Sequence, residues 1–230
     1  MTSPRTDAMR SARGGVGRVA RAALCGLVLM SAAAAHAAEA GSSPRWVAVS
    51  FLAGTAQPVA SLADYQWNVR PHAAWGTQAL VGRGPLAVGL RLWRTSTTQS
   101  LGLAGTPDPS VSSTSLESVG RARVAHWRSL EGVVLASGGR LALRYHPDHI
   151  TVDAGGGPFE VAFEPITEWV AGAGLGVRAP LVHGWSVGLE TERRFFSLDT
   201  AHRNGSGVQF ARETFGDWHV RLGLERAWGW

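Results

Sequence analysis

The last stretch of the chain, from Trp218 to Trp230, constrains the fold more than any other part of the sequence. Its residues alternate between an apolar set, broken by one arginine, and a set of polar or small residues. The apolar set comprises Trp218, Val220, Leu222, Leu224, Arg226, Trp228 and Trp230. A period of two places successive side chains on opposite faces of a β-strand. The stretch therefore predicts a strand with one apolar and one polar face.

The first 37 residues have the composition of a secretory signal peptide. Five arginines precede an apolar run from Ala22 to about Ala35, and the small-residue pattern Ala35-His36-Ala37 closes the run. This order of charged, apolar and small residues is typical of an export leader, and the run is too short for a comfortable transmembrane helix. We expect a signal peptide at 1–37 and a single mature domain at 38–230.

Removal of this leader changes the charge balance of the protein. The leader carries five of the 22 basic residues and one of the 17 acidic residues, which leaves 22 − 5 = 17 bases and 17 − 1 = 16 acids. A nucleic-acid partner is therefore not expected, since the mature charges nearly cancel. The only cysteine, Cys25, also lies in the leader, so the mature domain is expected to have neither a disulfide nor a thiolate metal site.

Alternation of the same kind recurs along the mature chain and predicts eight strands. They begin near Arg45, Trp67, Leu86, Glu117, Val133, Trp169, Trp185 and Trp218. Short turns are expected at Thr77–Gly84, Ser129–Gly132 and Pro180–Gly184, and longer polar loops elsewhere, including Thr95–Ser115 and Thr200–Glu213. Alternating short and long connections are typical of an up-and-down barrel with both termini on one side. We predict an eight-stranded antiparallel transmembrane β-barrel.

Alternation alone does not say which face of a strand points inward, because a soluble barrel shows the same pattern. A soluble periplasmic barrel is therefore the alternative. The leader, the connection lengths and the tryptophans near strand ends favour the membrane, where a lipid interface holds such rings. The tryptophans expected at the two interfaces are Trp67, Trp75, Trp169, Trp185, Trp218, Trp228 and Trp230.

The closing strand, which ends on Trp230 and carries aromatic residues at even spacing, resembles that of small bacterial outer-membrane barrels of the OmpA, OmpX and OmpW kind. The resemblance covers the mature chain as a pattern. It implies that the protein lies in the outer membrane, with the lipid bilayer and the barrel-assembly machinery as partners. Lipopolysaccharide or surface ligands are further candidate partners, and no cofactor is implied. It also implies a structural or surface-interaction role. A narrow channel and a lipid A-modifying enzyme are the alternatives.

If the apolar faces contact lipid, the polar faces line the lumen of the barrel. The expected lumen set is Arg70, Arg91, Arg121, Arg123, Arg140, Arg144, Arg178, Arg194 and Arg221, with Glu190, Glu192, Glu225 and His72. Eight strands leave an interior that side chains can fill, so a closed Arg–Glu network is the main expectation. Nine arginines against three glutamates leave an anion-preferring pore as the alternative.

Two groups of loop residues are candidates for chemistry. His146 and His149 could share a divalent ion, although no third ligand is evident. His202, Ser206 and Glu213 could act as base, nucleophile and carboxylate in a lipid A deacylase. The sequence between His202 and Ser206 lacks the His-x-Ser-Asn arrangement of those enzymes. Solvated loop side chains are the main expectation for both groups.

Overall fold

The computed structural model describes residues 45–102, 106–153, 157–204 and 207–229. The expected signal peptide at 1–37 and Trp230 lie outside these residues. The described ranges contain a 3-10 helix at Ala60–Tyr65 and ten strands. The strands are β1 (Arg45–Pro58), β2 (His72–Arg83), β3 (Leu86–Thr98), β4 (Ser110–Trp127), β5 (Leu130–His146), β6 (His149–Asp153), β7 (Pro158–Ala162), β8 (Ile166–Pro180), β9 (Trp185–Asn204) and β10 (Gly207–Gly229).

Eight of these strands close into one barrel in the order β1-β10-β9-β8-β5-β4-β3-β2. Every neighbouring pair is antiparallel, and β1 pairs with β10 so that the sheet has no free edge. The fold predicted from the alternation is therefore confirmed. β6 and β7 form a separate hairpin between β5 and β8, in a segment that was expected to be a loop.

The register of the strands sets the tilt of the barrel. A circuit of the sheet that starts at Arg226 on β10 and steps from each residue to its cross-strand partner ends at Gly216, which is 226 − 216 = 10 residues away on the same strand. The residues passed on the way are Val49, Ala79, Leu90, Ser118, Gly138, Ala171 and Phe195. Strands in such staggered barrels tilt by roughly 35–45° from the barrel axis. The offset of ten residues is spread over eight strands. Two residues at the same height on neighbouring strands are therefore offset from the cross-strand pairing by 10/8, or about 1.25, residues.

The outer surface of the barrel carries a continuous apolar band. Its large side chains, about half exposed, are Val49, Phe51, Val81, Val88, Leu90, Leu92, Leu116, Leu175, Val177, Leu189, Val220, Leu222 and Leu224. A band of this kind suits a lipid bilayer, whereas a soluble barrel buries its apolar faces. The soluble alternative is therefore wrong. No helix in the described ranges is both long and apolar enough to cross a membrane.

Several strand boundaries differ from the predicted ones. β2 begins at His72 and includes most of the predicted turn at Thr77–Gly84. Pro71 has no N–H to donate to a ladder, so the strand starts after it. The turn itself falls at Gly84, whose φ of 55° suits glycine. At the opposite end of the barrel, β9 and β10 pair almost to their tips and convert the expected loop Thr200–Glu213 into a hairpin.

Candidate functional site

A band of charged side chains fills the middle of the barrel. It contains five arginines and five acids that face inward from five strands: Arg91, Glu117, Arg121, Arg178, Glu190, Glu192, Arg194, Asp217, Arg221 and Glu225. Each lies on the face opposite the lipid-facing residues of its strand, as the period of two requires. We call this set the charged band.

Glu192 and Glu117 hold the centre of the charged band. Arg91 contacts Glu117, and its Nη2 lies 2.7 Å from Glu192 Oε2. Arg221 also contacts Glu192, and the side chains of Arg91, Glu192 and Arg221 have no solvent exposure. Arg194 joins Glu117 through an Nη1–Oε1 distance of 2.7 Å. Glu117 and Glu192 therefore each bridge two guanidinium groups.

The other contacts of the charged band extend it along the barrel axis. Arg194 binds Asp217 in a bidentate manner, with distances of 3.0 Å and 2.7 Å. At the inner end, Glu225 accepts from Arg121 at 2.6 Å and lies 2.6 Å from Arg178 Nη2. Bidentate guanidinium–carboxylate pairs fix both partners in direction as well as in distance. The interior is therefore occupied by side chains that hold one another in place.

The charges of this band cancel, five against five. The expected excess of nine arginines over three glutamates, which suggested an anion-preferring pore, is therefore wrong.

Two acids were missed, Glu117 on β4 and Asp217 on β10. Each shares the parity of a predicted lumen arginine on its own strand, so the alternation itself could have found them. Arg123 lies at the inner mouth, 44% exposed, and pairs with Glu131 at 2.7 Å.

Three predicted lumen arginines lie elsewhere. Arg70 is exposed in the segment before β2, and Arg140 and Arg144 are exposed on the outer face of β5. On β5 the apolar set is the inward set, since Val133, Leu135, Leu141 and Leu143 are all buried, and part of it lines the outer half of the lumen. There, Leu141 and Leu143 pack with Leu62, Val111, Val170, Phe196, Leu198 and Phe215. We call this group the apolar cluster; Leu62 reaches it from the 3-10 helix.

Tryptophans mark both ends of the lipid-facing band. Trp75, Trp169 and Trp218 are exposed on the outer face towards the end with long connections, and Trp185 and Trp228 towards the other. Trp67 does not lie at an interface, because it packs against the apolar cluster inside the barrel. Trp93 was not predicted in any role, and it lies buried in the lumen with its ring centroid 5.5 Å from the Arg221 guanidinium.

An arginine accompanies each outer tryptophan on the neighbouring strand. The cross-strand pairs are Trp75 with Arg94, Trp169 with Arg140, and Trp218 with Arg193. The guanidinium of Arg140 lies 4.8 Å from the Trp169 ring centroid and that of Arg193 lies 5.1 Å from the Trp218 centroid. The stagger of the barrel brings these three pairs to nearly the same height. They form a ring of aromatic and cationic groups around the outer end of the apolar band.

The candidate catalytic and metal-binding residues are not assembled into a site within the described part of the chain. Glu213 accepts a hydrogen bond from the Tyr65 hydroxyl at 2.7 Å, while Ser206 and the side chain of His202 lie outside the described residues. His146 ends β5, and His149 Nδ1 lies 3.0 Å from Asp148 in an exposed pair. No group of three or more His, Cys, Asp or Glu side chains suited to a metal occurs among the described residues.

The outer mouth of the barrel contains a cavity of ≈ 390 Å³, which we call the outer-mouth pocket. The 3-10 helix and the residues after it form one wall, and Gln99 and residues of β5, β8, β9 and β10 form the others. Burial and a hydrogen bond to Glu213 raise the pKa of Tyr65 in this wall, and the charges of Glu213 and Asp64 add to the shift. The hydroxyl therefore lies in a negative electrostatic environment.

The closed eight-stranded ring, its apolar outer band and the tryptophans at both ends of that band define a small outer-membrane β-barrel. No protein-family model and no curated protein matches the chain. Among solved structures, it is similar to Neisserial surface protein A, with 13% identity, 79% of this chain and 96% of that chain covered, and a TM-score of 0.47. It is also similar to the outer membrane protein AlkL (14%, 81% and 90%, 0.47) and to OprH from P. aeruginosa (14%, 81% and 100%, 0.38).

Proposed function

We propose that this outer-membrane barrel acts at the cell surface, as a structural or ligand-binding protein, and does not conduct solutes through its lumen. The observation that carries the proposal is that two layers of side chains, the charged band and the apolar cluster, close the interior. The charged band contains Arg91, Glu117 and Glu192, whose side chains have no solvent exposure. The apolar cluster lies above it, towards the outer mouth. A path for ions would have to separate paired charges and then cross apolar side chains.

Planar-bilayer recording tests this proposal directly. We expect no conductance steps from protein whose folded state is established beforehand by its heat-modifiable mobility on gels. A general porin reconstituted in the same way serves as the positive control. Reproducible steps that scale with the amount of folded protein would contradict the proposal, and their reversal potential in a salt gradient would report the preferred ion.

The geometry supports the two alternatives less well. A narrow channel needs a hydrated path, and the charged band and the apolar cluster both lie across the lumen. A lipid A-modifying enzyme needs a base and a nucleophile beside a carboxylate, and Glu213 is hydrogen-bonded to Tyr65. Mass spectrometry of lipid A from cells with and without the protein tests the enzyme, and altered acylation would favour it over a purely interactive role.

The ring at the outer interface provides a proposed contact with lipopolysaccharide. Arg94, Arg140 and Arg193 face outward at the level of the outer tryptophans, where acidic headgroup phosphates of the outer leaflet lie. Replacement of all three by alanine is expected to reduce the thermal stabilisation that added lipopolysaccharide confers on micellar protein. Arg226→Ala, which removes an arginine that lies over Trp185 and Trp228 at the inner interface, is the matched control.

Export and membrane assembly are part of the same proposal. Residues 1–37 act as a signal peptide, and the barrel-assembly machinery inserts the mature domain. The composition of the leader supports this proposal. The intact mass of protein extracted from the outer membrane is expected to correspond to a chain that begins at Ala38.

A further inference from the structure

The outer-mouth pocket has walls of mixed aromatic and acidic character. Four aromatic residues line it, namely Tyr65, Trp67, Tyr145 and Phe215, together with the acidic residues Asp64 and Asp199. Its volume of ≈ 390 Å³ lies within the range of small-molecule sites in proteins, about 300–1,000 Å³. The pocket opens on the side of the barrel that carries the long connections, so a ligand from outside the cell reaches it without crossing the lumen.

The aromatic walls of the pocket are held in place by a set of local contacts. The Gln99 side chain donates to the Tyr65 carbonyl at 3.0 Å and accepts from the Tyr145 hydroxyl at 3.0 Å. Tyr65 packs edge-to-face on Phe215, with ring centroids 5.6 Å apart. Trp67 pairs with Gln99 through a β-bridge. A site whose walls are already ordered loses little entropy when a ligand enters.

The charge of the pocket distinguishes between classes of ligand. Among the side chains that the structure describes, no arginine, lysine or histidine lines it. Asp199 is 72% exposed and pairs with Arg212 at 3.2 Å, and Arg212 also binds Glu168, so the charge of Asp199 is compensated outside the pocket. Asp64 stands at the rim, beside Tyr65. The carboxylate of Asp64 and the negative faces of the aromatic rings therefore favour a cation over an anion.

We propose that the outer-mouth pocket binds a small organic cation, an ammonium group attached to an apolar body. The ammonium lies towards Asp64, and the apolar body lies against Trp67, Tyr145 and Phe215. This inference rests on the surface role proposed above and names the chemistry of its ligand. The charged groups of the lumen take no part in it.

Ligand-observed NMR tests the proposal on the full mature chain in micelles of tetraethylene glycol monooctyl ether, which carries neither a cation nor a sugar. The probes are benzyltrimethylammonium, benzenesulfonate and methyl glucoside. We expect saturable binding of benzyltrimethylammonium alone, weakened by high salt. Asp64→Asn is expected to weaken it about tenfold, as loss of one nearby charge at a partly solvated site predicts. Glu160→Gln, which removes an exposed charge from the β6–β7 hairpin, is the matched control and is expected to bind as the wild type does.

Three results would overturn the proposal. They are binding of the sulfonate or the glucoside in preference to the ammonium, equal losses in Asp64→Asn and Glu160→Gln, and no saturable binding of benzyltrimethylammonium to folded protein. Trp67→Leu provides an independent check, because loss of the aromatic face is expected to weaken binding while the carboxylate of Asp64 remains. A non-conducting barrel that fails these binding tests would refute the cation site and leave the closed-lumen proposal intact.

Discussion

Replacement of Glu192 by glutamine is the sharpest test of the charged band. The substitution keeps the size of the side chain and removes the charge that bridges Arg91 and Arg221. Loss of one partner from a buried ion pair costs roughly 3–5 kcal/mol, because the other charge remains buried without compensation. Arg91 keeps its contact with Glu117, and Arg221 keeps Glu190 at 3.5 Å. We therefore expect a loss near the lower limit, about 3 kcal/mol in the free energy of unfolding.

The measurement is reversible unfolding by urea in lipid vesicles, monitored by tryptophan fluorescence and by the heat-modifiable mobility of the folded barrel. Asp199→Asn is the control for an exposed pair, since the Asp199 side chain is 72% exposed where it meets Arg212. Exposed pairs contribute about 0–1 kcal/mol, so this variant is expected to stay close to the wild type. The double variant Glu192→Gln with Arg221→Met restores the balance of charge and is expected to recover part of the loss.

A Glu192→Gln barrel that unfolds at the same urea concentration as the wild type would refute the reasoning. It would mean that the guanidinium groups are hydrated inside the lumen and do not depend on Glu192. The same result would weaken the case against conduction, because a hydrated charged band is a path for ions. Conductance of this variant is therefore a useful companion measurement.

Two further predictions concern glycines in the strands and the exposed ion pair at the start of the β6–β7 hairpin. Gly139→Ala is expected to destabilise the barrel by about 1–3 kcal/mol, since the added Cβ would lie 2.0 Å from the Leu116 carbonyl oxygen. At Gly188 the nearest atom to an added Cβ is 3.4 Å away, so Gly188→Ala is expected to be tolerated. Urea unfolding of both variants distinguishes them. The hydrogen bond to Asp148, followed by its charge, raises the pKa of His149 above 6.5, and the pair lowers the pKa of Asp148. The ion pair is therefore complete between these two values and is lost as the pH rises through the pKa of His149 or falls through that of Asp148. NMR titration is expected to show a lower His149 midpoint in Asp148→Asn, and an unchanged midpoint would contradict the pairing.

The alternation of residues was sufficient to predict the closed barrel and most of its faces, because a period of two is a local property of each strand. β5 shows the limit of that signal. Its apolar set, including Leu141 and Leu143, was expected to contact lipid and instead faces the interior. Periodicity separates two faces without saying which is inside, and the apolar cluster exists only once Leu62, Phe196 and Phe215 arrive from distant parts of the chain.

The site was less predictable than the fold for the same reason. Glu192 and Arg221 were expected in the lumen from their parity, but their bridging contacts depend on the register between strands. Trp67 was assigned to an interface because tryptophans near strand ends usually lie there. The loop that carries it folds inward onto the apolar cluster. The outer-mouth pocket combines residues from six separate segments, and no local motif marks it.

The ten-residue stagger of the strands has a consequence for how the barrel forms. It brings Arg91 on β3 to Glu192 on β9, 101 residues apart, and Arg121 on β4 to Glu225 on β10, 104 residues apart. An open sheet would present these charges unpaired, at a high energetic cost inside a bilayer. Their partners arrive only as the ring nears closure, and such distant contacts form slowly. The ion pairs therefore make closure cooperative, so that a partly assembled sheet gains little stability until the first and last strands meet.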